Sequence, residues 1–259
     1  MTRFLDRRRF LGGLAAASAL PLSGCFDPLV QSGSGVREVL ESANPLTYRA
    51  QRLLLGSDHL AREFTRADIR QPMRPNGSTN PQDEPYLALA RQSFSTWRLP
   101  VTGMIQRSLS LSLADLQAMP ARTQITRHDC VEGWSCIAEW IGAPLGLVLD
   151  QAGVLPSARY VVFLCFDSLA NGFNGPIRYY ESIDLLDARH PQTILAYGMN
   201  GAALPVSNGA PLRVRVERQL GYKMAKYIRA IVVTDSLVAY GEGKGGFWED
   251  RGYEWFAGI

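Results

Sequence analysis

Apolar and polar positions alternate in short runs along most of this chain, and the runs predict strands joined by brief helices. From Phe94 to Leu111 the alternation reads as strands and a turn. Ser112 followed by LADLQAM predicts a short helix, capped by the serine and stopped by Pro120. Thr123 to His128 returns as a strand that delivers Cys130, and its period of two puts His128 and Cys130 on one face. A helix from about Pro144 to Ala152 follows, ended by Gly153. Next come a strand at Tyr160–Phe166, a Gly/Asn loop at 171–175 and a helix near Ser182–Asp187. Another strand precedes Leu204–Pro211, and strands at Leu212–Val216 and Ile228–Thr234 close the domain. Strands and short helices mix without a regular βαβ rhythm, so an α+β fold is expected rather than a doubly wound one.

Upstream of these elements the punctuation changes. Residues 26–45 mix Ser, Gly and Pro and read as a tether, with room for a short helix around Val36–Ser42. Between Leu53 and Asp68, Thr65 is placed to cap a helical turn. Arg70–Glu84 is full of Pro, Asn, Gly and Asp and must be irregular. Long irregular segments inside compact domains are uncommon unless they are functional, and wrapping a cofactor is one such function.

The amino terminus is a targeting segment. Arg7-Arg8-Arg9-Phe10-Leu11 has the twin-arginine pattern, and Leu11–Leu22 follows as a short apolar run of small residues. Leu22-Ser23-Gly24-Cys25 resembles a bacterial lipobox, which makes Cys25 the expected lipidation site; an ordinary export signal cut nearby, or an uncleaved anchor, are the alternatives. The expected organisation is a signal at 1–24, a tether and linker at 25–54, and a catalytic domain at 55–259. The expected location is the periplasmic side of the membrane. No second long apolar stretch follows that could span a bilayer.

Composition matters chiefly through this signal. The formal net charge is +3, and residues 1–24 carry all of it through Arg3, Arg7, Arg8 and Arg9 against Asp6. The remaining chain is near neutral, which argues against a nucleic-acid partner. With Cys25 lipidated, Cys130, Cys136 and Cys165 remain, an odd number for an oxidising compartment. Cys136 and Cys165 either pair or both lie in the core, and the apolar run YVVFLCF around Cys165 favours the core.

Cys130 opens the stretch CVEGWSCIAEWIGAPL. Taken alone it reads as a buried core thiol. The pattern C-V-E-x-W-S followed by W-I-G-x-P-L, however, resembles the molybdenum-binding cysteine segment of the sulfite oxidase-like molybdopterin oxidoreductases. It is closest to the exported branch that includes the periplasmic methionine-sulfoxide reductase catalytic subunit. The resemblance implies that Cys130 binds molybdenum as a thiolate, the softest ligand a side chain offers. A second matching block, NGAPLRVRVERQLGYKMAK, implies that Asn208, Arg213, Met224, Ala225 and Lys226 contact the pterin and its phosphate. Planar, directional donors suit that task, and a β-turn at Asn208-Gly209 with solvated Arg and Lys is the plainer reading. The family's polar contact on the next strand falls on Cys165, where the methionine-sulfoxide reductases have Thr. Its amino-terminal contacts fall by spacing on His59, Arg62 and Glu63, of which His59 and Arg62 read equally as exposed helix residues. Glu132 is the catalytic candidate, for substrate positioning or proton delivery, with a structural glutamate as the alternative. Trp134 and Trp140 read as core rather than pocket wall.

The resemblance thus implies a sulfite oxidase-like domain without an appended immunoglobulin-like domain, a molybdenum-molybdopterin cofactor and a monomer. It implies oxygen transfer to or from a small substrate, with sulfoxide reduction favoured. The chain has no C-x-x-C-H haem site, so a separate membrane haem protein or cytochrome is the expected electron partner. Two other functions stay open at this point. One is a lipoprotein that keeps the fold as a binding module; the other is a cysteine hydrolase pairing Cys130 with His128.

Overall fold

The structure is a computed structural model that describes residues 35, 39, 42–56, 58–173 and 175–259. The twin-arginine segment, Cys25 and nearly all of the tether up to residue 41 lie outside the described residues. The chain divides into two units, Met1–Leu46 and Thr47–Ile259, and the contacts described below belong to the second.

Short amphipathic runs dominate, and each strand shields its apolar face by pairing into one of two sheets. The strands are β1 (Leu99–Gly103), β2 (Leu109–Leu111), β3 (Arg122–Cys130), β4 (Trp134–Pro144), β5 (Tyr160–Gly172), β6 (Gly175–Asp184), β7 (Ile194–Met199), β8 (Ala202–Ala203), β9 (Arg213–Arg215) and β10 (Ile228–Thr234). One sheet has the order β2-β1-β10-β5-β6, and the other β3-β4-β7-β8 with β9 added on β7. Among the described residues of the first sheet only β1 and β10 pair in parallel, with Val101 opposite Ile231. Among the described residues five helices, α1 (Asn44–Leu55), α2 (Glu84–Arg91), α3 (Leu113–Ala118), α4 (Leu145–Ala152) and α5 (Leu185–Ala188), fill the connections. This is the expected α+β arrangement. No helix among the described residues is long and apolar enough to cross a membrane.

Two cores result. The larger gathers Trp97, Leu99, Val161, Phe163, Ile183 and Ile231 around the first sheet. The smaller packs Met73, Cys136, Ala138, Trp140 and Ile194 against the second. Cys165 belongs to the first cluster and Cys136 to the second, and both thiols are free.

Local signals acted much as elementary chemistry requires. Ser112 caps α3, its Oγ accepting from Asp115 N at 3.0 Å while Asp115 accepts from Ser112 N at 2.8 Å. Thr65 caps only a single 3-10 turn, Arg66–Asp68. One expectation is corrected, and two elements appear that the sequence pattern did not predict. The helix near Ser182–Asp187 is strand as far as Asp184, because the Asp184 carboxylate accepts from Asp187 N at 2.7 Å and starts α5 only there. The run after Gly133 is strand β4, paired with β3 and β7 on its two edges and mostly buried from Cys136 to Ala143. The last part of the expected linker is helix α1, held by Tyr48 to Asp184 and by Arg52 to Asp184 and Asp187.

Candidate cofactor site

β3 and β4 form a hairpin in which Cys130 stands opposite Trp134, leaving Val131-Glu132-Gly133 as the turn. Gly133 closes it, donating its N–H to Cys130 O at 3.0 Å with φ +83°, a left-handed conformation that glycine adopts at no steric cost. The turn leaves Cys130 half-buried at the strand end. Burial pushes its thiol pKa up, and the Glu132 charge adds to that; the backbone N–H groups of Glu132 and Val131 and the Arg74 guanidinium pull it down. Glu132 is exposed and accepts from Trp134 Nε1 at 2.9 Å, while Arg74 lies over the Trp134 ring at 4.7 Å. An ordered chain of Arg74, Trp134 and Glu132 therefore borders the sulfur.

Cys130 opens onto a cavity of about 110 Å³. Its walls come from five parts of the chain: Asn76–Ser78, the turn after β3, Asp167 and Leu169 on β5, Tyr179 on β6, and Tyr222, Met224 and Lys226 after β9. Trp248 and Tyr253, stacked at 5.2 Å, complete it. Lys226 Nζ donates to the carbonyls of Asn76, Ser78 and Ser207, which ties the irregular segment to the wall. Burial and the neighbouring Arg213 bring its pKa down to about 7. Asp167 accepts from Ser78 Oγ at 2.6 Å, and burial pushes its carboxyl pKa up.

Behind this wall lies a second group of polar side chains. Arg213 is fully buried, donating to Asn208 O at 2.9 Å and lying over the Trp140 ring at 4.9 Å. Burial and then Arg215 bring its pKa down to about 9. Arg215 is neutralised by Glu217 and donates to His128 Nδ1 at 2.9 Å, so the proton of His128 sits on Nε2. Burial, then Arg215, hold His128 well below the usual histidine range, and it is neutral.

These residues fit a bound anionic cofactor. Asn208 Nδ2, Arg213 Nε and His128 Nε2 are buried donors without partners among the described residues. Buried polar groups are nearly always satisfied, and a cluster of unsatisfied donors beside two buried cations is short of acceptors and negative charge. A phosphate and the polar edge of a pterin supply both.

The structure brings Cys130, Glu132, Met224 and Lys226 to one cavity, with Asn208, Arg213 and Ala225 packed close behind. It does not bring the other four expected contacts there. Cys165 is fully buried in the larger core, and Asp167, two residues on along the same strand, lines the cavity instead. His59 and Arg62 line a different cavity, of about 370 Å³, with Thr126 and Asp129. Glu63 accepts from Arg122 and Gln192. The reason is pairing: Phe64 N donates to Ile125 O at 2.8 Å, so residues 63–64 add to the edge of β3, and the chain reaches the Cys130 cavity only at Asn76. Sequence reasoning named the irregular stretch 70–84 but none of its residues. An acid inside the apolar run YVVFLCFDSLA was the signal for Asp167, and the aromatic tail FWEDRGYEWFAGI was the signal for Trp248 and Tyr253; Tyr179 had none. Trp140 is fully buried as expected, whereas Trp134 sits at the rim.

Comparison with known proteins gives three findings. The profile described as "Oxidoreductase molybdopterin binding domain" matches residues 86–239. The chain is 35% identical to YedZ1 of Azospira oryzae, named as a protein-methionine-sulfoxide reductase subunit, over 98% of this chain and 86% of that one. It is 32% identical to the protein-methionine-sulfoxide reductase catalytic subunit MsrP of Xanthomonas campestris pv. campestris, over 90% of this chain and 71% of that one. The sulfane dehydrogenase SoxCD of Paracoccus pantotrophus superposes with a TM-score of 0.48 at 23% identity, over 54% of this chain and 39% of that chain.

Proposed function

Since the chain belongs to the family of oxidoreductases with a molybdopterin-binding domain, we propose that it is an exported, membrane-tethered enzyme that reduces a sulfoxide. The oxidoreductase class and the molybdenum-molybdopterin cofactor follow from family membership. The direction of oxygen transfer, the substrate, the export route and the electron partner are the proposal.

One observation carries it: a half-buried cysteine opens onto a cavity backed by unpartnered donors and buried cations. When bound, the cofactor supplies two-electron redox chemistry at molybdenum. The chain supplies the rest. Cys130 holds the metal as a thiolate; Asn208, Arg213 and Lys226 hold the pterin and its phosphate, with Met224 and Ala225 presenting their backbone. Reducing a sulfoxide takes up two electrons and two protons and releases the sulfide and water. Glu132, oriented by Trp134 at the rim, is the proposed proton-delivering group. Leu169, Tyr222, Trp248 and Tyr253 make an apolar, aromatic wall suited to a thioether side chain. The names of the relatives favour a methionine sulfoxide carried on a polypeptide. Electrons come from a separate protein, a membrane haem protein or cytochrome, and the enzyme acts as a monomer tethered at Cys25.

The hydrolase reading loses support, because no hydrogen bond joins Cys130 to His128 among the described residues and the His128 Nδ1 is taken by Arg215. The test uses protein exported through the twin-arginine route. Stoichiometric molybdenum lost in Cys130→Ser, and turnover of sulfoxides with a reduced viologen dye, are expected. Sulfite oxidation with no turnover across a panel of S- and N-oxides would overturn the substrate reading. A metal-free, folded and active protein would overturn the whole assignment.

A further inference from the structure

Helix α1 is amphipathic in the reverse of the usual sense. Its polar side holds the domain: Arg52 pairs with Asp184 and Asp187 and lies over Phe256 at 4.9 Å, and Tyr48 donates to Asp184. Its leucines face water, Leu53 being 84% and Leu54 81% exposed. An ordinary surface helix buries its apolar stripe and turns its charges outward. Beyond the helix Leu60 is also exposed, and it shares the rim of the second cavity with Leu55, the last residue of α1, and with Arg62. Arg49, one turn before Leu53 and on the same face, is also exposed.

We propose that the exposed surface of Leu53, Leu54 and Leu60, flanked by Arg49 and Arg62, lies on an anionic lipid bilayer. The proposal rests on the reading of the chain as exported and tethered at Cys25. Two observations select a bilayer. First, about twenty residues separate Cys25 from Asn44, at most ~70 Å of chain when fully drawn out, so the tether keeps α1 near the surface that holds it. Second, leucines edged by guanidinium groups match the acyl boundary and the anionic headgroups above it. A bilayer contact orients the domain as well as retaining it, which a tether alone does not do.

The test uses the full-length, cofactor-loaded protein on vesicles of phosphatidylethanolamine and phosphatidylglycerol, with a nitroxide placed by Leu54→Cys. A second protein carries the label by Phe173→Cys, at an exposed hairpin tip, as the aqueous reference. Accessibility of the label at 54 to a water-soluble nickel chelate is expected to be about tenfold lower than at 173, as for a residue sunk into the headgroup boundary. Adding Leu53→Ser is expected to weaken the contact roughly tenfold and return the label to water, with dye-driven turnover unchanged. Equal accessibility at both sites overturns the proposal. So does a dimer in sedimentation that Leu53→Ser/Leu54→Ser dissolves, because a second copy would then cover the face. Mass spectrometry of the amino-terminal peptide reports Cys25 acylation separately, so loss of the tether and loss of the docking face are distinguishable.

Discussion

Lys226 makes the charge balance of the cofactor site measurable in the cofactor-free protein. It is 5% exposed, and burial with Arg213 brings its pKa from 10.5 down to about 7. At pH 7 and below that lowering costs about 4–5 kcal/mol of stability. The sign follows from proton counting. Between pH 7 and 10.5 the unfolded chain holds the lysine proton and the folded chain does not, so stability rises with pH across that window. From pH 7 to pH 9 the gain from Lys226 is about 2 kcal/mol. His190, brought down to about 4, and His128 titrate below this range. Urea unfolding of cofactor-free wild type and Lys226→Met at pH 7, 8 and 9 isolates the lysine as the difference between the two curves. The variant is expected to be the more stable at pH 7, with the gap closing by about 2 kcal/mol at pH 9. If Lys226 holds the cofactor's phosphate as proposed, the charged lysine should be restored in the loaded protein, and the gap should vanish or reverse. Parallel curves for the two cofactor-free proteins would refute the reasoning, since Lys226 would then keep its ordinary pKa and the pocket would lack no anion.

Three further outcomes are expected. Gly221→Ala places a Cβ 2.4 Å from the His128 ring, in a buried backbone position without positive φ, so about 1–3 kcal/mol of stability and much of the bound molybdenum should be lost, read by thermal melting and metal content. Lys223→Met leaves the buried carboxylates of Glu181 and Glu249 without their shared cation and should cost about 3–5 kcal/mol in urea unfolding; Glu181→Gln and Glu249→Gln in the same chain should recover most of it. Arg74→Ala removes a charge that favours the Cys130 thiolate, so in the cofactor-free protein the pH midpoint of Cys130 alkylation should move upward, and an unchanged midpoint would show that Arg74 acts elsewhere.

Much of the hairpin that carries the sulfur was legible, because its causes are local. Alternation marked the strand ending at Cys130, and the spacing of Cys130 with Glu132 carried the family resemblance. Ser112 and Pro120 bounded α3 for the same reason, since caps and prolines act within one turn. The block Asn208–Lys226 was also readable as one unit, since its residues lie within a single excursion of the chain.

Tertiary pairing decided the rest. Residues 58–64 and 76–78 are both polar and irregular in sequence, and which of them meets Cys130 depends on Phe64 pairing with the edge of β3, a contact between residues some sixty positions apart. Cys165 and Asp167 share one strand, yet packing against the larger core buried the thiol and left the carboxyl to line the cavity. The aromatic wall joins Tyr179, Tyr222, Trp248 and Tyr253 from separate strands and turns, and no local pattern encodes such a meeting. By itself, then, the sequence determined the fold class and marked the thiol and the block proposed to hold the cofactor, all through short-range chemistry. Only the folded chain decided which distant side chains close the cavity and which leucines are left facing out, because those follow from how the sheets and helices pack.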